Sequence, residues 1–324
     1  MAAVRESFGW FDRSATGRLA VTGPDRYSWL QGMVSNDVRL LETGAVQRLQ
    51  ACLLDPTGHT LSDLALIEVP AGSPLATDAA RPPFVLVETP CGEAERVREQ
   101  LDRFLILEDA EIHIISAETA CLSVQGPDIG VQRTDRLQVV PADHTGSDGF
   151  DLIGPEADVA EMSGGLRDWG GPEIGPAAQE ILRIEAGIPK YGVDMDASTL
   201  APEAGLMATH VSLTKGCYVG QEIVARIDSR GHTNRALTGL IAHGETCAAP
   251  AEKLFADELD GAGRECGWIT SVASVSPAAG GRAIALGYVR HEQRTAGAWL
   301  RLGAPDSSRR VEIADLPFYR GRAS

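Results

Sequence analysis

AVQRLQACLLDPTGHTLSDLALIEV, residues 45–69, reads as two β-runs, AVQRLQACLL and TLSDLALIEV, joined by Asp55-Pro56-Thr57-Gly58. Apolar residues dominate both runs and the Pro and Gly between them are turn formers, so the stretch predicts a hairpin. Working outward, Phe84–Glu88 predicts a third strand. From Cys91 to Phe104, Val97, Leu101 and Phe104 recur at helical spacing among charges, which predicts an amphipathic helix covering one face of that sheet. EIHII at 111–115 completes a compact α+β unit. AGSPLATDAARPP at 71–83 has no period and is expected to be a solvent-exposed loop whose deletion would touch no core.

A second set of elements surrounds this unit. LAVTG at 19–23 and a helix from Pro24 to about Val34 precede it; CLSVQG (121–126), GFDLIG (149–154) and a helix around Ala177 to Ala186 follow it. Beyond Arg235 the pattern changes to short β-segments: ALTGLIAH, CGWITSVASVS, AIALGYV, AWLRL and RRVEIA. Runs divided by Gly and Pro with no helix between them predict a small barrel or sandwich. The expected fold class is therefore α+β. A subdomain at 45–115 is expected to be inserted in a discontinuous one made of 1–44 plus 116–240, with a C-terminal β-barrel at 241–324.

The 324 residues carry 45 acidic and 29 basic side chains, a formal charge of −16. A protein that coats phosphates needs clustered Lys and Arg, so direct nucleic-acid binding is disfavoured. Lysine occurs only at 190, 215 and 253. The N-terminus MAAVRESFGWFDRS lacks the apolar core of a signal peptide, and no segment approaches 18 uninterrupted apolar residues. The six cysteines (52, 91, 121, 217, 247, 266) form no C-x-x-C pair, which argues against a zinc ribbon or a disulfide framework. A cytoplasmic protein with no membrane partner is expected. No His pair at i, i+4 and no H-E-x-x-H occurs, so no metal site is expected. Gly164-Gly165 and Gly170-Gly171 have no G-K-S/T after them, so no phosphate loop is expected either.

Chemistry concentrates in three places. In Lys215-Gly216-Cys217-Tyr218-Val219-Gly220-Gln221-Glu222, the glycines permit a tight backbone and GQEIVARI has the composition of a helix start. Cys217 would sit just ahead of that helix, where unpaired N–H groups and Lys215 favour a thiolate; a small buried cysteine in a glycine-rich turn is the other reading. Glu185, on the last turn of a helix that Gly187 and Pro189 end, and Glu203, after Pro202, are candidates to clamp a ligand edge presenting neighbouring N–H donors. A solvated helix end and a loop charge are the alternative. Asp63 lies in an apolar strand between Leu61 and Leu64, which suits a partly desolvated proton acceptor, or else an outward-facing residue of a half-exposed strand.

At KGCYVGQEIVAR the chain resembles the YgfZ branch of the YgfZ/GcvT family of tetrahydrofolate-binding proteins. The resemblance continues through LAVTGPDRYSWLQGMVSNDV, GHTLSDLALIE, LSVQGPD, TGSDGFDLIGP, RIEAGIPKYGVD, APEAGL and CGWITSVASVSPAAGGRAIALGYV. It implies a clover leaf of two α+β subdomains and a C-terminal β-barrel around a folate channel, with tetrahydrofolate or a one-carbon-substituted folate as cofactor. By resemblance, Glu185 and Glu203 belong near the pterin, Arg235 lines the channel toward the folate tail, and Tyr191 and Arg226 are further folate-binding residues. Asp63 matches the aspartate that sits beside the reacting folate nitrogen in the aminomethyltransferases. Those enzymes have a double Asp where this chain has Ser62-Asp63, and a tyrosine where it has Gln50. They also have no cysteine in their K-x-x-F-x-G-K stretch. The YgfZ branch implies a folate-dependent accessory factor for assembly, repair or maintenance of iron–sulfur proteins, including tRNA-modifying radical enzymes. Iron–sulfur client or assembly proteins would then be its partners. Cys217 would be its redox or sulfur-handling thiol, with Lys215 and Arg226 tuning the charge around it. A folate-dependent one-carbon transferase or demethylase centred on Asp63 is the alternative.

Overall fold

Fifteen strands and eight α-helices were identified in a computed structural model that describes residues 1–76, 82–127, 134–243, 248–257 and 263–319. The strands are β1 (Gly9–Asp12), β2 (Gly17–Thr22), β3 (Arg48–Leu54), β4 (Thr60–Val69), β5 (Phe84–Thr89), β6 (Glu111–Ile114), β7 (Ala120–Gln125), β8 (Gln138–Pro141), β9 (Gly149–Gly154), β10 (Arg235–Ala242), β11 (Lys253–Ala256), β12 (Glu265–Ser276), β13 (Arg282–Arg290), β14 (Trp299–Leu302) and β15 (Arg310–Ala314). The helices are α1 (Ala2–Glu6), α2 (Arg26–Met33), α3 (Arg39–Glu42), α4 (Ala94–Asp102), α5 (Glu156–Asp168), α6 (Pro176–Glu185), α7 (Met207–His210) and α8 (Gln221–Arg230). They fall into two units, one of residues 1–143, 147–174 and 207–223, the other of 144–146, 175–206 and 224–324.

The first unit is four layers deep. Its five-stranded antiparallel sheet runs β3-β4-β5-β2-β6, and its second sheet β1-β7-β9-β8. Side chains alternate across a strand, so the register fixes what each face holds. Leu64 and Leu66 of β4, with Leu19, Val85 and Val87, point to one face and pack with Trp29, Leu30, Leu41, Val97 and Leu101 of α2, α3 and α4. Ile67, Val69, Leu86 and Ala20 point to the other and meet Cys121, Val140 and Ile153 of the second sheet. Val159 and Leu166 of α5 close the far side of that sheet. The predicted hairpin is β3–β4, paired from Arg48↔Ile67 to Leu54↔Thr60, and its turn is fastened by the Asp55 carboxylate, which accepts from the Thr57 and His59 amides.

Three differences from the sequence reading have physical causes. The five-stranded sheet draws β2 from before residue 45, so the unit expected at 45–115 shares its sheet with the preceding segment. The stretch from Ala71 is not a dispensable loop. Leu75 and Ala76 are buried between the sheets, and the Ser73 hydroxyl donates to Gln138 Oε1 at 2.6 Å; residues 77–81 of that stretch lie outside the described ones. The helix α5 runs through Gly164 and Gly165, where the glycine pair hid the helical pattern of Val159, Met162 and Leu166.

Charge is also buried between the two sheets. Arg13 donates to Asp151 (2.5 Å) and lies 3.5 Å from Glu88, Arg48 reaches Glu88 (2.8 Å) and Asp151 (2.9 Å), and Arg18 lies 3.4 Å from Glu88. Arg18 is fully buried and also donates to the carbonyls of Arg13, Ser14 and Thr119. A buried guanidinium is tolerated only when paired and hydrogen-bonded in this way.

In the second unit six strands close into a barrel, β10-β13-β12-β11-β14-β15, which leaves no sheet edge among them. It matches the expected C-terminal barrel, with Leu240, Leu254, Ile269, Val289, Leu300 and Ile313 filling it. The strand KLFA (β11) was not foreseen, because four residues with one charge carry too little period to read. Helix α6 packs Ile181 and Ile184 on the barrel's outer face with Ile284 and Leu286.

Replacing Leu75 by Ala is expected to cost about 2–4 kcal/mol, the range for a buried leucine that leaves a cavity. Urea denaturation measures it; a change within 0.5 kcal/mol of zero would return the segment to a dispensable loop.

Candidate functional site

Asp63 occupies the inter-sheet face of β4, directly across from Cys52 of β3. It is half-buried, and its Oδ1 is shielded from solvent with no hydrogen-bond partner. Burial pushes its carboxyl up to about 6, against the opposing pull of its own backbone amide and, less, of Arg13. An acid poised near neutrality, with a free acceptor oxygen, can hold or take a proton from a ligand nitrogen. Cys52 is fully buried, and burial followed by the Asp63 charge drives its thiol well above the ordinary range.

The Lys215–Glu222 segment is stitched to the same strand and to α2. The Ser35 hydroxyl donates to the His210 carbonyl (2.6 Å) and accepts from the Cys52 amide (2.8 Å). Asn36 Nδ2 bridges the Gln50 and Thr209 carbonyls, and the Ser212 amide donates to the Ser35 carbonyl. Lys215 Nζ donates three bonds of 2.6–2.7 Å, to the carbonyls of Gln31, Val34 and Asn36. These are carbonyls that α2 and the turn after it leave unpaired, so the ammonium serves as a cap. Its Nζ also lies 5.0 Å from the Tyr218 ring centre. Tyr218 is half-buried; burial and then the neighbouring Cys52 thiol raise its hydroxyl to about 12. Tyr218 and Asp63 therefore approach Cys52 from two elements.

Cys217 is exposed, four positions ahead of α8, whose first residue Gln221 accepts from the Tyr218 amide through its side chain. Cys91 is the other exposed thiol among the described residues; Cys52, Cys121 and Cys266 are buried, and Cys247 lies outside the described residues. Gly216 is exposed, as are Glu222 and Arg226 on α8. Gly220 has φ +83°, and a Cβ there would lie 2.5 Å from the Asp55 carbonyl oxygen. The hairpin turn and the motif loop thus touch at backbone distance, and Gly58, in the turn itself, would meet Ile223. Glu88, Cys121 and Asp151 are spaced within 4.8 Å as metal ligands would be, but both carboxylates already accept from arginines.

The second unit holds the remaining expected residues. Glu203 is largely buried and accepts from Arg235 at 3.1 Å. The Arg235 guanidinium lies over the rings of Trp268 (4.9 Å) and Tyr288 (5.3 Å), which stack on each other. Arg235, Trp268 and Tyr288 line a cavity of about 100 Å³ together with Asp194, Asp196 and Thr199. Glu185 is fully buried at the end of α6, where one oxygen accepts from the Ser276 hydroxyl and the Ala278 amide. Tyr191 is half-buried in the bridge to Met195. Trp268 and Tyr288 escaped the sequence reading because their meeting depends on the β12–β13 register, Trp268↔Tyr288. Asp194, buried and bonded to Arg183, Thr270 and Ser271, escaped it for the same reason.

Residues 1–132 match the GCVT N-terminal domain. The chain is similar along its length to aminomethyltransferases: 28% identical over 344 residues to that of Nostoc sp. (strain PCC 7120), covering 98% of this chain and 86% of that one. The aminomethyltransferase of Saccharopolyspora erythraea is 29% identical over 349 residues, covering 99% and 89%. Among solved structures, the glycine cleavage system aminomethyltransferase T from Bartonella henselae superposes with a TM-score of 0.81 at 23% identity, over 99% of this chain and 89% of that one. The chain therefore has the fold of that protein, mixed α/β with a closed six-stranded barrel.

Two outcomes follow from the geometry. Gly220→Ala is expected to destabilise the first unit by about 1–3 kcal/mol through positive-φ strain and collision. Gly216→Ala, with open space around it, should change stability by less than about 0.5 kcal/mol; equal effects in urea melts would contradict the packing. For Asp63, a folded-state value above the unfolded one means the native state binds more protons between the two, so its stability falls as pH rises from about 4 to about 6. Asp63→Asn should therefore be more stable than wild type by about 2 kcal/mol at pH 7.5, and the gain should vanish below about pH 4.

Proposed function

We propose that this chain binds a tetrahydrofolate and works on its one-carbon group, as a folate-dependent one-carbon transferase with Asp63 as the acid–base residue. The observation that carries the reading is the shielded, unpartnered Asp63 Oδ1 on a carboxyl raised toward neutrality. It supplies a fixed acceptor for a protonated nitrogen and a counter-charge for an iminium-like one-carbon unit. The aminomethyltransferase names of the full-length relatives support the same class of reaction. Glu203, fixed by Arg235, is the group proposed to accept from the pterin edge, with Glu185, buried at the end of α6, as the second carboxylate assigned to that side. Tyr191 is assigned to the pterin side and Arg235 with Arg226 to the anionic tail. Ser62 and Gln50 stand where the transferase pattern has Asp and Tyr, so the donor is proposed to differ from an aminomethylated lipoyl carrier protein.

A second reading has its own observation. Cys217 is exposed on a loop whose neighbours are held by Lys215, Ser35 and Gln221. That placement suits a thiol offered to another protein, as in a folate-dependent accessory factor for iron–sulfur enzymes. Lys215 spends its donors on three carbonyls, so its proposed part is to hold the loop.

The two readings separate by experiment. Tetrahydrofolate binding, followed by calorimetry, should weaken tenfold or more in Glu203→Gln, since a charge-assisted bond is worth about 1.5–3 kcal/mol. Asp63→Asn should keep binding but lose one-carbon exchange with 13C-labelled methylenetetrahydrofolate. If exchange is absent in wild type while Cys217→Ala abolishes support of iron–sulfur enzymes in cells, the accessory reading replaces the transferase. Absence of folate binding would sink both.

A further inference from the structure

Strand β6 ends the five-stranded sheet, with β2 on one side and no strand among the described residues on the other. Its register runs from Leu19↔Ile114 to Thr22↔Glu111, and the Ile115 amide donates to the Arg18 carbonyl just beyond it. Backbone groups of an antiparallel ladder alternate in direction, so Glu111 and His113 spend theirs on β2 while Ile112 and Ile114 turn theirs outward. Among the described residues those outward N–H and C=O groups have no partner. The chain reaches this edge through an apolar turn: Phe104, Ile106 and Leu107 are 45%, 79% and 92% exposed, and Ile114 on the strand is 37% exposed. The turn is fastened rather than frayed. Trp29 Nε1 donates to the Phe104 carbonyl, Leu105 packs into the core that α2 and α4 close, and one Glu108 oxygen accepts from the Ile106 and Leu107 amides at 3.2 and 3.0 Å. Asp109 is tied at both its amide and its carbonyl to Asp25, just ahead of α2.

Neighbouring apolar side chains held out to water on a fixed backbone, beside an open strand edge, mark a docking surface. Its charge says what docks. Residues 102–114 hold four acids, Asp102, Glu108, Asp109 and Glu111, against Arg103 as the one arginine or lysine. Asp102 is paired with Arg98, and His113 contacts Glu111, which leaves the rim acidic. We propose that β6 takes up an extended, basic segment of a partner protein as an added strand. The backbone of that segment pairs with Ile112 and Ile114, its aliphatic side chains cover Ile106, Leu107 and Ile114, and its lysines or arginines lie among Asp109 and Glu111. Strand addition draws affinity from main-chain bonds and selectivity from alternate side chains. A second copy of this chain is the poorer occupant, because it would set one acidic rim against another and join two molecules of charge −16. Neither Asp63 nor Cys217 takes part in this surface.

The test uses the full-length chain and a fluorescein-labelled octapeptide of alternating valine and lysine, followed by fluorescence anisotropy at low salt. The peptide should bind, and the double variant Ile106→Ser, Leu107→Ser should weaken it about tenfold or more, since both lost contacts are apolar surface that the peptide buries. Glu111→Lys should weaken it several-fold, and an octapeptide of alternating valine and glutamate should bind about tenfold less tightly or worse. The lysine peptide methylated at every backbone nitrogen should also lose about tenfold or more, which tests strand addition without any change to the protein. No anisotropy change up to about 1 mM chain, equal affinity for the glutamate or the methylated peptide, or equal affinity in the double variant overturns the proposal. So does a dimer in sedimentation velocity that the double variant abolishes, which would give the face to a second copy.

Discussion

Placing three guanidiniums between two sheets constrains the first unit more than any apolar contact does. Each must find anions or carbonyls there, since an unpaired buried charge costs several kcal/mol. Glu88 comes from one sheet and Asp151 from the other, and Arg13 and Arg48 touch both. Neither sheet can satisfy the cluster alone, so the two are obliged to stack in one register. Leucine and isoleucine at Leu86, Ile67 and Ile153 supply the burial, but apolar packing tolerates sliding and ion pairs do not. The same face carries Asp63, opposite Cys52 on β3.

Around Asp63 the chain uses backbone carbonyls as scarce acceptors. Helix α2 leaves its last carbonyls open, and Lys215 fills them from far along the sequence. Ser35 and Asn36 then bind the segment to β3. What looks in sequence like a reactive motif is, in its lysine, tyrosine and glycines, mostly a device for seating a loop. Cys217 is the member left facing solvent. In the second unit an analogous economy holds: Arg235 neutralises Glu203 and flattens over Trp268 and Tyr288, leaving a small cavity lined by groups of both signs.

Elements with strong local period were legible: β3–β4, β5, α2, α4, α6, α8 and five of the six barrel strands match the segments read from sequence. The short strands β1, β8 and β11 are not legible, because their four residues lack an apolar run that stands out from the flanking sequence, as EIHII and AWLRL do. Glycines at 164 and 165 masked α5, and the Pro/Ala-rich composition around Leu75 masked a buried anchor. Asp63 could be found because an acid in an apolar strand is costly wherever it lies. The ion-paired cluster could not, since Arg13, Arg48, Glu88 and Asp151 come from four separate segments that meet only when the sheets stack. The sequence shows Lys215 only as a charge near Cys217; its bonds to Gln31, Val34 and Asn36 depend on where α2 ends.

A structure of the chain with bound 5,10-methylenetetrahydrofolate tests the central claim most directly. The account predicts the reactive folate nitrogen or its one-carbon unit within hydrogen-bonding distance of Asp63 Oδ1, the oxygen that is unpartnered without ligand. Folate bound elsewhere, with that oxygen still unpartnered, would contradict it.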